Sequence, residues 1–367
     1  MRTLHYLVVA FMAVAITAAP SDANADAVRS SQWHLKFLDV GRAHQVTRGT
    51  GVIVGLVDTG VDGTHPDLQR SVLPGIVIDP SGRGDGTTDQ SGHGTAMAGL
   101  IAGHGRGSHG VLGIAPASKV LPIVDTASGD LTSPNLTADG INWAIDHGAT
   151  VVNVSASGGP TIKLQRAVER ALRENVVVVA AAGNAPSPII GFPANYPGVL
   201  AVGASDRDGA VAGVSVRGAG MVLLAPGVDI MTTRLQSAYG AGTGTSDSAA
   251  IVSGAVALVR SRFPHLSAVE VIHRLTATAT DKATPGRDEA YGYGVLNIVA
   301  ALTADVPPLS PSAPATTTSA AAAPDGGQPP QRSAIGIVAL VGAGVLIGGF
   351  ILIVLARRHR GRRRRVP

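Results

Sequence analysis

Five near-continuous apolar runs recur along the middle of the chain: VIVGLVD at 52–58, VLPIVD at 120–125, VVNVS at 151–155, VVVVAAAG at 176–183 and VLAVGAS at 199–205. Short runs rich in β-branched residues, nearly continuous rather than alternating in apolar positions, predict strands of a parallel sheet covered on both faces. Helical stretches separate them, at 136–147 and 162–174, and a further apolar run at 249–259 predicts another helix. This alternation predicts right-handed βαβ units and an α/β layered fold. In such sheets the ligand crevice lies beyond the carboxyl ends of the strands. Asp58 and Asn184 both fall there.

Two more apolar segments lie near the ends. Residues 1–25 carry Arg2 and His5, then an apolar run from about 7 to 19, then Ala23-Asn24-Ala25. This predicts a secretory signal peptide cut before Asp26, with an uncleaved anchor as the alternative. At the other end, 334–356 is uncharged and rich in Ile, Leu, Val and Gly. As a helix it would span roughly 34 Å, enough for a single transmembrane crossing. Residues 357–367 hold seven arginines, which predicts a cytoplasmic tail and a body on the extracellular face. Gly344 and Gly348 have the spacing of a helix-packing face, or are the ordinary glycines of such helices. Between body and anchor, 304–333 is rich in Pro, Ala, Ser and Thr and predicts an extended linker. The body itself is then 26–303.

Charge and cysteine content narrow the function. The formal net charge of +4 comes from the seven terminal arginines; the rest of the 367 residues is mildly acidic. No basic body advertises nucleic-acid binding. There are no cysteines, which excludes disulfides, thiol nucleophiles and thiolate metal sites.

Four segments carry candidate chemistry: Asp58 in VDTGVDGTHPDL, His93 in SGHGTAMAG, Asn184 in AAAGN and Ser246 in GTSDSAA. They offer an orienting carboxylate, a base, an amide donor and a hydroxyl at a helix start. Each has a plainer reading as well. Ser246 could be a helix N-cap, and Asn184 a turn residue. Asp62 and Asp67 compete with Asp58 but sit in a loop where turn formation is the ordinary role. His104 and His109 compete with His93 but lie in the glycine-rich stretch GHGRGSHG, expected to be a solvated loop.

The order Asp, His, Asn, Ser in these motifs resembles the subtilisin family. FPANYPGVLAVGA (192–204), LAPGVDI (224–230) and YGYGVLN (291–297) extend the resemblance over about 33–301. It implies a three-layer subtilisin-like fold with a mainly parallel central sheet, to which the sequence adds the C-terminal single transmembrane helix. It implies a serine endopeptidase in which Asp58, His93 and Ser246 are catalytic and Asn184 completes the oxyanion hole. Ser155, Ala156 and Ser157 would form one wall of the first specificity pocket, and Ala182 and Gly183 the other. In this family an Asp at the position of Asp67 often ligates calcium. The later stretch GHGRGSHG lacks the oxygen ligands such a site uses, so no metal and no cofactor are expected.

The chain departs from its relatives after the nucleophile. Asp247, Ser248 and Ala250 stand where a hydrophobic residue, alanine and proline are usual. Little room precedes the first core strand for an inhibitory prodomain. With the linker, single helix and basic tail, this resembles the mycosins, membrane-anchored proteases associated with type VII secretion in actinobacteria. The partners implied are protein or peptide substrates, the membrane and a type VII secretion complex. Two functions remain open: an endopeptidase acting on exported proteins, or a protease-derived structural subunit with weak or no activity.

Overall fold

The computed structural model describes residues 22–80, 82–126 and 133–309. Most of the expected signal peptide, nearly all of the linker, the expected transmembrane helix and the arginine tail lie outside these residues. Among the described residues, no helix is long and apolar enough to cross a membrane.

Three helices, α1 (Asp22–Ser31), α2 (Trp33–Phe37) and α3 (Val40–Val46), lead into β1 (Ile53–Asp58). There follow β2 (Ile76–Val77), α4 (His93–Ala102), β3 (His104–Arg106), β4 (His109–Leu112), β5 (Lys119–Val124), α5 (Pro134–Asp146) and β6 (Val151–Val154). Next come α6 (Ile162–Arg173), β7 (Val177–Ala181), β8 (Leu200–Ser205), β9 (Leu223–Pro226), β10 (Ile230–Thr233) and β11 (Tyr239–Gly242). The described chain closes with α7 (Thr245–Arg262), α8 (Ala268–Ala277) and α9 (Ile298–Thr303).

The main sheet has seven strands in the order β2-β5-β1-β6-β7-β8-β9, each neighbouring pair parallel. Its inner strands are apolar at nearly every position because the side chains of both faces enter a core, with buried Asn153 of β6 an exception. Val177 and Val179 pack into the core that holds α4, α7 and α8. Val178 and Ala180 pack into the opposite core, with α5 and α6. The result is three layers: helices, sheet, helices.

The innermost helix is α7. Ala249 to Val252 and Ala255 to Val259 are all 0% exposed. A helix apolar on every side belongs inside a core rather than on its surface. Its alanines let it lie close over the middle strands. Its first turn therefore reaches the carboxyl edge of the sheet, where β1, β6 and β7 also end.

The glycine-rich stretch after α4 is an antiparallel hairpin of β3 and β4, not an open loop. His104 and His109 are half-buried there rather than solvated. The hairpin is ordered by contacts from distant parts of the chain, taken up below.

Candidate active site

Asp58 is the last residue of β1, and His93 the first of α4. A Cβ on Gly94 would fall 2.0 Å from the Gly60 carbonyl oxygen, so only glycine lets this helix start seat against the end of the strand. His93 Nδ1 lies 2.7 Å from Asp58 Oδ1, which also accepts the Thr59 N–H at 2.8 Å. An acceptor on Nδ1 fixes the tautomer and leaves Nε2 as the basic nitrogen of the neutral ring. Asp58 is 5% exposed, whereas the His93 side chain is 38% exposed. The Asp58 carboxylate, with lesser help from Asp247 and Asp89, pushes the imidazole up to about 9 against the opposing effect of burial.

Asp89, which no motif in the sequence marks, holds this pair in place. Its Oδ1 accepts from Thr59 Oγ1 at 2.9 Å and from the Gly92 N–H at 2.9 Å. Its Oδ2 accepts from the N–H and the hydroxyl of Thr95, at 2.9 and 2.7 Å. Thr59 Oγ1 in turn accepts the Gly94 N–H at 3.0 Å. N–H groups at the start of α4 are thus satisfied by the Asp89 carboxylate and by Thr59, whose hydroxyl that carboxylate holds at the end of β1. The visible signal was an Asp just ahead of a helix start.

Ser246 lies in the first turn of α7. The N-cap of that helix is Gly244, so the Ser246 hydroxyl is not spent on capping. It donates to the Ser155 carbonyl at 2.9 Å. Ser155 Oγ donates to Asn153 Oδ1 at 2.8 Å, and Asn153 Nδ2 donates to Ser253 Oγ at 2.9 Å. This buried polar string ties the turn of Ser246 to the end of β6. The neighbouring Asp247 is buried, and burial pushes its carboxyl up to about 6, with His93 and Arg234 pulling the other way. Asp247 Oδ1 lies 2.8 Å from where a Cβ on Gly242 would stand.

Asn184 follows β7 and is exposed. Its Oδ1 accepts both the N–H and the hydroxyl of Thr245, each at 3.0 Å. Thr245 Oγ1 also accepts the Gly183 N–H at 3.2 Å. The oxygen end of the amide is thereby committed, and the Nδ2 hydrogens remain for an incoming acceptor. Thr245 is the second residue the motifs did not single out. Its hydroxyl sets which way the amide faces.

The two expected pocket walls meet a third segment. Gly158 and Phe192 exchange backbone hydrogen bonds of 2.8 and 3.0 Å, and the Gly191 N–H donates to the Ala182 carbonyl at 3.0 Å. A Cβ on Gly191 would fall 2.6 Å from Ser157 Cβ. Ser155, half-buried Ala156 and exposed Ser157 are in this way bridged to Ala182 and Gly183 through residues 191–192. Of the rival acids, Asp62 forms a local turn, its Oδ1 accepting from the Thr64 N–H and hydroxyl at 3.0 and 2.6 Å. Asp67 does not fit a turn role, being 0% exposed. Among the described residues, no group of three or more His, Asp or Glu side chains is placed to hold a metal.

A carboxylate-held imidazole, a hydroxyl at a buried helix start and an oriented amide, gathered at one sheet edge, can perform acyl transfer. The family model of the subtilases matches residues 49–294. The chain is 37% identical over 279 residues to subtilisin Savinase of Lederbergia lenta, covering 74% of this chain and 99% of the other. It is 39% identical over 260 residues to subtilisin DY of Bacillus licheniformis, covering 69% and 92%. The crystal structure of MycP1 from Mycobacterium smegmatis superposes with a TM-score of 0.68 at 29% identity, covering 77% of this chain and 87% of that one. The chain therefore belongs to the subtilase family of serine peptidases, and within it is similar to the mycosin MycP1.

Proposed function

We propose that the chain is a membrane-tethered endopeptidase that cuts exported proteins at the cell surface, with Ser246, His93 and Asp58 as its catalytic residues. The observation that carries this is the 2.7 Å bond from His93 to buried Asp58, with Asp247, the neighbour of Ser246, near enough for its charge to act on the imidazole. Ser246 exchanges the Ser155 carbonyl for His93 Nε2 and attacks the substrate carbonyl, while the imidazole takes its proton. The tetrahedral oxyanion is received by Asn184 Nδ2 and the Ser246 N–H at the positive end of α7. Collapse passes the proton to the leaving amine and leaves an acyl-enzyme, which water hydrolyses by the reverse proton path. Asp58 fixes the ring and balances the imidazolium.

The tether and anchor rest on the composition of 304–367. A link to type VII secretion rests on the likeness to MycP1 from the ESX-1 type VII secretion system, 29% identical over 77% of this chain. Labelling of the detergent-solubilised full chain with a fluorophosphonate tests the site. Labelling should be complete in the native protein and absent in Ser246→Ala. A folded native protein that takes up no label would instead favour the structural-subunit role.

A further inference from the structure

Asp67 is fully buried midway along the loop between β1 and β2. A carboxylate withdrawn from water needs donors or cations around it. Its Oδ2 accepts the Val111 N–H at 2.8 Å, and Arg106 Nε stands 3.4 Å from Oδ1. A further cation arrives from the far end of the body. Arg29, in the last turn of α1, donates from Nε to the Gly110 carbonyl and from Nη2 to the His109 carbonyl, each at 3.0 Å. Burial lowers the pKa of this guanidinium, and attraction to Asp67 opposes that. Three residues on, Gln32 closes over the same strand: Nε2 donates to the Leu112 carbonyl at 3.0 Å and Oε1 accepts the Leu112 N–H at 2.9 Å. Gly110 has φ +67°, and a Cβ there would meet the Asp67 oxygens at 2.5 and 2.6 Å, so glycine is what lets the hairpin close on the carboxylate.

Calcium, which an Asp at this position often ligates in the family, takes six to eight oxygens at about 2.3–2.6 Å. The donor set here does not fit it. The carbonyls of His109 and Gly110 are taken up by guanidinium N–H groups, and Asp67 Oδ2 by a backbone N–H. The only polar side chains that the hairpin adds are those of His104, Arg106, Ser108 and His109. We propose that the Arg29 guanidinium is a built-in cation for this hairpin. One side chain from α1 does the work of a bound divalent ion, so the body holds its fold without calcium and depends on residues 27–32 staying docked.

Thermal unfolding of the detergent-solubilised full chain, in excess chelator and in millimolar calcium chloride, tests this. The native protein should melt at the same temperature in both. Arg29→Ala removes two bonds to the hairpin carbonyls and one of the two cations near buried Asp67, leaving Arg106, and should lower the melting temperature by roughly 4–10 °C. The double variant Arg29→Ala/Asp67→Asn should lose less than the two single changes together, since the charge that Arg29 helps to balance is gone. The proposal is overturned if calcium raises the native melting temperature by several degrees, if Arg29→Ala melts like the native chain, or if the two substitutions are additive. Should Arg29→Ala not fold, the chelator comparison on the native protein still decides.

Discussion

Asp247 stands one residue after Ser246, buried, with its charge felt by His93. Two consequences follow from that position. A general base must be neutral to accept a proton, so kcat/KM should rise with pH along a limb near the His93 pKa of about 9. Asp58 contributes most to that elevation and Asp247 adds to it. Asp247→Asn removes one charge that favours the imidazolium, so the limb should move to lower pH. The second consequence concerns stability. Burial raises Asp247 from its ordinary 3.8 to about 6, so the folded state is favoured below the unfolded value and loses stability as pH rises through the folded one. At pH 8 the ionised carboxylate should cost on the order of 3 kcal/mol, with the attraction of His93 already counted. Asp247→Asn should therefore melt above the native protein at pH 8, by a margin that shrinks toward pH 4. A limb that stays in place in the variant would remove Asp247 from the electrostatics of the base.

At the level of elements, α7 joins the core to the chemistry. Its middle is buried on every side, and its first turn carries Thr245, Ser246 and Asp247. Ile251→Ala, at a position 0% exposed, should cost about 2–5 kcal/mol. The melting temperature should fall by roughly 4–10 °C, while titration with the fluorophosphonate still reaches full labelling below that temperature. A variant that melts normally yet labels poorly would mean that α7 sets the site by a route other than core packing. The same division explains what could be read from sequence. The strands β1, β5, β6, β7 and β8 and the helices α5 and α6 were legible because burial on two faces, or on one stripe, leaves a periodic imprint. The short hairpins β3–β4 and β10–β11 leave none. Asp58, His93, Asn184 and Ser246 were visible because their glycine-rich surroundings form recognisable motifs. Asp89 and Thr245 act through side-chain bonds to backbone groups, which impose no spacing. Asp67 looks like a turn residue in the sequence because its partners are distant: the Val111 N–H lies 44 positions on, and the carbonyl that Arg29 binds lies 81 positions from Arg29. Only the folded chain brings them together.

For the molecule as a whole, the proposed topology joins a body with no need of disulfides to a proline-rich linker, one membrane helix and an arginine tail. A chain of Pro, Ala, Ser and Thr cannot bury enough apolar surface to repay its ordering, so proteases should find its backbone open along 306–332. The body offers them little, since its strands and inner helix are covered on both sides. Protease added outside intact cells should therefore release a soluble body that still labels with fluorophosphonate. A C-terminal epitope placed after Pro367 should remain with the membrane fraction, protected, on a short fragment. The charge pattern sets the direction: arginines resist translocation, so the epitope should become sensitive only after the membrane is permeabilised. Loss of the epitope from intact cells would reverse the orientation. A body that stays membrane-bound after cleavage within 306–332 would show a second attachment, with the uncleaved N-terminal segment the first place to look.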